Sequence, residues 1–393
     1  MGNVRKFRLL VVTPTHISSG VKYSPIEYLI DREAEVLKRY SVGDIVRVAK
    51  EKSLLNSIAT LFKREDIHRY SLEKLIATNV SFRNLISSTK PHYTASVKGE
   101  HIPELSHIEE LLKLGNQIFI PGSELKGSLR RALFTYILNK DEDLLNQLIE
   151  NLKDIVISAK KEKKQVRKEI EEISQKIENR IFRAGSRNAQ DDIFKLVQIS
   201  DSSFKPATQE TLKVKEIATY YISGEKKEKA SIYSETIVPK VDFEFKIKTF
   251  LTEPLKKKFS NPRYHEIIKS AILSGNPFEL LALWKEGERI SIEIDWENLI
   301  PPKNKPPEAA KFLKWLSTKG KERNVIRLGK HEGYLFTTVM AIVKQKDEEL
   351  FSEIFRLSVP KFSNLPNKTR KLTEREKFPL GFCIVEEKNR NAN

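Results

Sequence analysis

The 393-residue chain has almost no cysteine: Cys383 is the only one. A single thiol excludes an internal disulfide framework and any CxxC metal site. Set in LGFCIV, it reads as a small core hydrophobe, and a reducing cytoplasm is the expected setting. No run of about 18 apolar residues is present, so no membrane-spanning helix is expected. The opening MGNVRKFRLLVVTPTH lacks the long apolar stretch of a signal peptide. Gly2 does not make a myristoylation signal, because Lys6 stands where Ser or Thr is required. HExxH and GxSxG are also missing, and the seven histidines are scattered. Local motifs therefore imply no metal, no cofactor and no catalytic residue.

Positive charge, in contrast, is plentiful. Lys and Arg number 70 against 53 Asp and Glu, a net charge of +17. That excess favours a polyanionic partner. No basic amphipathic helix carries large apolar anchors, so membrane-surface binding is not expected.

The pattern is α+β. Phe7, Leu9 and Val11 alternate with Arg8, Leu10 and Val12, predicting a strand that TPTHISSG ends. IEYLID and VLKRY, four residues apart, predict a hairpin. DIVRVAKEKSLLNSIATLFK reads as helical, with Ile45, Val48, Leu55 and Ile58 on one face. Between about 141 and 183 neither Pro nor Gly occurs, and Leu145, Leu148, Leu152 and Ile155, then Ile170, Ile173, Ile177 and Ile181, recur at helical spacing. This predicts an appended helical hairpin. Later strands are expected in IFKLVQISDSS, KVDFEFKIKTF, ERISIEIDW, YLFTTVMAIV and PLGFCIVEE, with helices in RYHEIIKSAILS, PFELLALWK and PEAAKFLKWLS. The expected division is 1–205, including the hairpin, and 206–393.

The most informative stretch is QIFIPGSELKGSLRRALFTYIL. A short strand, a turn at Pro121-Gly122-Ser123 and a basic helix start aim backbone N–H groups and a helix dipole at one spot. Lys126 and Arg130, four residues apart, share a face there, which suits an anion such as phosphate. Gly127 leaves room for a close backbone approach. The spacing of Gly122 and Gly127 imitates a P-loop, but Ser128 and Leu129 stand where Lys and Ser or Thr are needed, so ATP hydrolysis is excluded. Further basic, glycine-bearing loops are THISSG, with His16, Ser18 and Gly20; RLGKHEGYLFTT, with Gly329, Lys330 and Gly333; and the polar stretch holding Lys361, Lys368, Arg370 and Lys371. Such loops suit a single RNA strand, whose backbone can lie over glycine. His16 reads as a capping or core-edge histidine, with a general base on a ribose hydroxyl as the alternative, and Asp201 in ISDSS reads as a turn residue bonding its own backbone.

IPGSELKGSLRRAL resembles the glycine-rich signature of RAMP proteins, the RNA-binding subunits of CRISPR effector complexes. TPTHISSG, the YLID…VLKRY hairpin, VQISDSSF, RLGKHEGYLFTTV and PLGF fit in the same order. Together they are similar to the fifth-subunit family of type III-A Csm complexes. The resemblance implies two ferredoxin-like (RRM-like) domains with an inserted helical hairpin. It implies a non-catalytic subunit capping the complex near the crRNA 3′ end and supporting crRNA maturation, assembly and antiviral defence. Implied partners are crRNA, the neighbouring backbone RAMP subunit, other Csm subunits and a host nuclease that trims the 3′ end. Implied RNA contacts are His16, Ser18, Gly20, Gly122, Ser123, Lys126, Gly127, Arg130, Arg131, Gly329, Lys330, Gly333, Lys368 and Arg370. The alternatives are a metal-independent CRISPR RNA endoribonuclease with His16 as base, and a protein-interaction scaffold acting through the 141–183 hairpin.

Overall fold

The computed structural model describes residues 4–51, 53–56, 59, 70–78, 80–162, 166–221, 231–295, 307–331, 339–358 and 369–388. Its strands are β1 Val4–Val11, β2 Ser18–Tyr23, β3 Tyr28–Asp31, β4 Val36–Arg39, β5 Tyr93–Ser96, β6 Ile108–Leu111, β7 Lys113–Leu114, β8 Gln117–Ile118, β9 Val197–Ile199, β10 Lys205–Pro206, β11 Leu212–Tyr221, β12 Ile232–Ile237, β13 Asp242–Thr249, β14 Asn324–Arg327, β15 Thr369–Thr373 and β16 Phe382–Glu387.

One sheet is antiparallel, in the order β14-β16-β1-β13-β9. Helix Gly122–Lys140 lies between β1 and β9 in the chain, and helix Pro277–Ile294 between β13 and β16. Setting β14 aside, this is a βαββαβ unit with strand order 4-1-3-2. The alternation read in β1 and β13 lines up in register: Phe7 faces Phe245 and Leu9 faces Phe243. All four are buried, as a one-sided sheet requires. The second sheet is mixed, ordered β2-β6-β12-β11-β5-β4-β3 with β15 on β11, and a three-stranded ribbon joins β10, β8 and β7. Both large sheets draw strands from either side of residue 205.

Two of the chain's passages between the large sheets run from β1 to β2 and from β12 to β13. The crossings are tied together: Thr15 and Ile237 exchange backbone hydrogen bonds of 3.2 and 2.8 Å. His16 thus sits at the junction of the two sheets.

The helical hairpin forms as the spacing predicts, from Glu142–Glu162 and Val166–Arg183. It is not a free appendage. Leu145, Leu148, Leu152, Ile155, Ile177, Ile181 and Phe182 belong to the same buried core as Phe7 and Leu9. The Tyr28–Asp31 and Val36–Arg39 hairpin also forms. In the first helical stretch, Val42–Glu51 is helical with Ile45 and Val48 buried, while Leu55 is exposed and Ile58 lies outside the described residues.

Three strand expectations need correction. ERISIEID is the end of helix Pro277–Ile294, started by the Asn276 side chain accepting from Phe278 N at 3.1 Å. Its Ile290 and Ile292 alternate like a strand, but Leu280, Leu281, Trp284, Gly287, Glu288 and Ser291 form a buried helical stripe that decides the matter. Gly287 lets this helix touch helix Gly122–Lys140, because a Cβ there would stand 1.9 Å from Ala132 O. In YLFTTVMAIV, Met340–Lys346 is a short helix with four consecutive buried residues, and residues 334–338 lie outside the described residues. An apolar run buried on every side does not distinguish helix from strand. IFKLVQISDSS begins as a 3-10 turn, Ile193–Leu196, capped by Asp192, and only Val197–Ile199 is strand.

Candidate nucleic-acid interface

The predicted turn and helix start are present: helix Gly122–Lys140 follows Pro121 at once. Gly122 is there because the chain itself crowds it. A Cβ would lie 2.2 Å from Ile199 O, and Gly122 N donates to Asp201 Oδ1 at 2.7 Å. Asp201 is therefore a cap for a distant helix, not the self-bonded turn residue the local pattern suggests.

The basic residues of this helix start turn inward. Lys126 Nζ donates to Val197 O at 2.7 Å, and burial lowers its pKa. Arg130 bridges Glu178 at 2.6 Å and Asp192 at 3.1 Å, with its guanidinium 3.9 Å from the centre of the Phe182 ring. Arg131 reaches Glu288 at 3.2 Å and Arg327 O at 3.0 Å. Glu288 is fully buried, and desolvation raises its pKa against the pull of Arg131. These cations hold the two long helices, the hairpin and the β9 segment together.

What stays open at the helix start is Ser123 and Gly127, both exposed. Outside its own helix, no atom among the described residues lies within 4 Å of a Cβ built on Gly127. Gly20, exposed with φ +83°, has similar open space.

The glycine-bearing loops, hundreds of residues apart in sequence, meet here. Gly329 N donates to Glu124 Oε1 at 2.9 Å, and Lys330 N donates to His16 O at 2.8 Å. Gly329 has φ +92°, and a Cβ there would sit 2.3 Å from His16 O, so only glycine lets this loop close on THISSG. The RLGK loop thus bridges THISSG and the helix start, whose Gly122 is capped from ISDSS. Lys371 on β15 adds the last segment, with Nζ 3.2 Å from His331 Nδ1. Arg370 precedes it on the same strand. Gly333 and Lys368 lie outside the described residues.

At the centre is a residue that sequence reading passed over, Glu109 of β6. Its Oε1 pairs with Lys330 at 2.9 Å and Lys22 at 3.2 Å; its Oε2 faces His331 Nε2 at 3.4 Å and His16 Nε2 at 3.8 Å. Burial alone would raise the Glu109 pKa, but the two ammonium groups outweigh it and hold it at about 2. His16 is wholly buried, its Nδ1 2.6 Å from Glu235 O, and its pKa is lowered by burial. The His331 pKa is lowered to about 3, by burial and by Lys371. Nothing in HIEELL marks Glu109 as different from any strand residue. An acid directly after an apolar strand residue, Ile108, is the only local signal, and it is weak. The Lys22 and Lys330 side chains are half exposed and offer positive charge at the surface beside the loops.

No curated protein matches this chain. Among solved structures it resembles a chain of the cryo-EM structure of a Csm–crRNA–target RNA ternary complex of a type III-A CRISPR–Cas system, at 19% identity and a TM-score of 0.69, covering 98% of this chain and 100% of that one. It also resembles Csm5 of T. onnurineus, at 16% identity and a TM-score of 0.63, covering 96% and 99%. Among the described residues no helix is long and apolar enough to cross a membrane. The RAMP superfamily model matches residues 8–330, and so the chain belongs to the RAMP superfamily.

Proposed function

We propose that this chain is a non-catalytic RNA-binding subunit of a type III-A CRISPR ribonucleoprotein. It sits beside the 3′ end of the guide RNA and supports guide-RNA maturation and assembly of the complex in antiviral defence. Its partners are the guide RNA, a neighbouring backbone RAMP subunit, other Csm subunits and a host trimming nuclease, all in the cytoplasm. The βαββαβ unit is one ferredoxin-like domain, and the eight-stranded sheet stands for the second.

The observation that carries the reading is the convergence of the glycine-bearing loops. Gly122, Gly329 and the inward-turned Lys126, Arg130 and Arg131 build the platform. His16, with no exposed surface, supports it from within. The RNA then lies over Ser18, Gly20, Ser123 and Gly127 and beside Lys22 and Lys330. Gly127 is the sharpest pointer. A glycine inside a helix costs about 1 kcal/mol against alanine, and no close contact within the described chain accounts for it. A backbone passing over it would.

The burial of His16 argues against the endoribonuclease reading, since a general base must reach the proton it removes. The scaffold reading keeps the outer face of the 142–183 hairpin, but removing the hairpin would open the core.

The test is a salt titration of guide-repeat RNA binding to the full chain. Lys330→Glu should weaken binding and reduce the slope of log K against log salt by about 0.7 per lost phosphate contact. Gly127→Leu, which adds bulk in open space, should weaken binding at every salt concentration. If both variants bind as the parent does throughout, the interface is elsewhere.

A further inference from the structure

We infer that His16, Glu109 and His331 form a binding site for a borderline divalent cation of the zinc class, joining the two large sheets. The site does not depend on the RNA reading.

One ligand atom from each of the three residues lies within 4.8 Å of the others, and the atoms that face one another are His16 Nε2, His331 Nε2 and Glu109 Oε2. In a tetrahedral zinc site with bonds of about 2.0–2.1 Å, neighbouring donors lie about 3.4 Å apart. The carboxylate oxygen is 3.4 Å from His331 Nε2 and 3.8 Å from His16 Nε2. Those two edges need at most a few tenths of an ångström of contraction, and the two imidazole nitrogens, no more than 4.8 Å apart, close toward the same spacing. Two imidazoles and one carboxylate suit zinc or a similar first-row ion, with the remaining position left for water.

The second observation is that both Nε2 atoms are buried and have no hydrogen-bond partner among the described residues. The His16 side chain is 0% exposed and that of His331 1%. His16 Nδ1 faces the Glu235 carbonyl at 2.6 Å, and a carbonyl only accepts. The proton therefore sits on Nδ1, and Nε2 of the neutral ring points a bare lone pair at a carboxylate oxygen. Two acceptors facing each other in a buried site are unfavourable. A cation between them removes the conflict. Backbone carbonyls hold zinc-ligating histidines in this same tautomer.

The third observation is backbone strain. His331 is non-glycine with φ +78°, a left-handed conformation that costs roughly 1–2 kcal/mol. It follows Gly329, which is pressed on His16 O, and it brings the imidazole over Glu109 beside His16, ring centroids 5.7 Å apart.

Three ammonium groups compete with the ion. Lys330 and Lys22 hold Glu109 Oε1, the oxygen that does not face the histidines. Lys371, largely on the surface, lies 3.2 Å from His331 Nδ1 and must release it when Nε2 coordinates.

The experiment takes the full, tag-free chain, strips it with chelator, titrates it with Zn²⁺ or Co²⁺, and records zinc-edge X-ray absorption. One equivalent should bind, and the spectrum should show imidazole scattering with oxygen ligands. Glu109→Gln and His331→Gln should each weaken binding by at least about 100-fold, the upper end for losing a residue that only orients a ligand, with folding checked by circular dichroism. Zn²⁺ should also raise the unfolding temperature of the parent more than that of either variant. A parent chain that takes up no stoichiometric ion overturns the inference without any variant. So does a bound ion without imidazole scattering, or binding that both folded variants keep.

Discussion

The helix start at 121–131 and the cluster around Glu109 lie against each other, yet they use charge in opposite ways. At the helix start, charge is displayed in the sequence and hidden in the fold: Lys126, Arg130 and Arg131 all turn inward. Around Glu109, charge is invisible as a motif and prominent in the fold. One buried carboxylate draws in His16, Lys22, and Lys330 with His331, from three segments. A basic residue near a glycine turn is thus not by itself a phosphate ligand. Whether it faces RNA depends on whether an internal acid reaches it first.

The strongest challenge to this contrast is at the glycines. Gly122→Ala places a Cβ 2.2 Å from a carbonyl oxygen and should cost about 3 kcal/mol, the upper range for overpacking, as read by urea denaturation. A smaller loss would mean that β9 yields easily and that the platform is soft.

Next is Arg130→Met. It leaves Glu178 without this partner and Asp192 with Arg183 alone and should destabilise by about 2 kcal/mol. RNA binding by the remaining folded fraction should keep its salt slope. Lys330→Met is the converse. Its ion pair is half exposed and worth at most about 1 kcal/mol, while its loss should flatten the salt slope.

The same network sets an acid limit. Arg130 and Arg183 outweigh the burial that would raise the Asp192 pKa and lower it instead. Asp192 therefore binds a proton more readily when unfolded. Its contribution is complete above the ordinary carboxylate value near 4 and is lost as pH falls below it. Asp192→Asn should lower stability at neutral pH and make the acid limb of the stability curve shallower. An unchanged limb would place the acid sensitivity elsewhere.

The smallest expected effect is also the most discriminating. Gly127→Ala should stabilise the chain by up to about 1 kcal/mol, since nothing among the described residues crowds it. The same variant should weaken RNA binding if a backbone lies over that turn. Stabilisation with unaltered RNA binding would leave Gly127 unexplained.

Much of the fold was legible where a local period met a single surface. Phe243, Phe245 and Ile247 of β13, the Tyr28–Arg39 hairpin and the 142–183 helices follow their patterns closely. Reading failed where burial is all-round or mixed. Ile290 and Ile292 alternate within a helix whose Gly287 admits the close approach of Ala132 from the neighbouring helix. Met340, Ala341, Ile342 and Val343 are four consecutive buried apolar residues and carry no usable period.

By itself the sequence determined the local elements, the glycine-turn-helix motif, the basic balance and the superfamily, all of which depend on residues near one another in the chain. Tertiary structure decided which glycines are demanded by the fold, which cations are neutralised, and that His16, Glu109 and His331 share one buried spot. Those outcomes rest on pairings between residues up to 315 positions apart, as in His16 and His331. Such pairings follow from sheet order and crossing segments, and they leave no periodic trace along the chain.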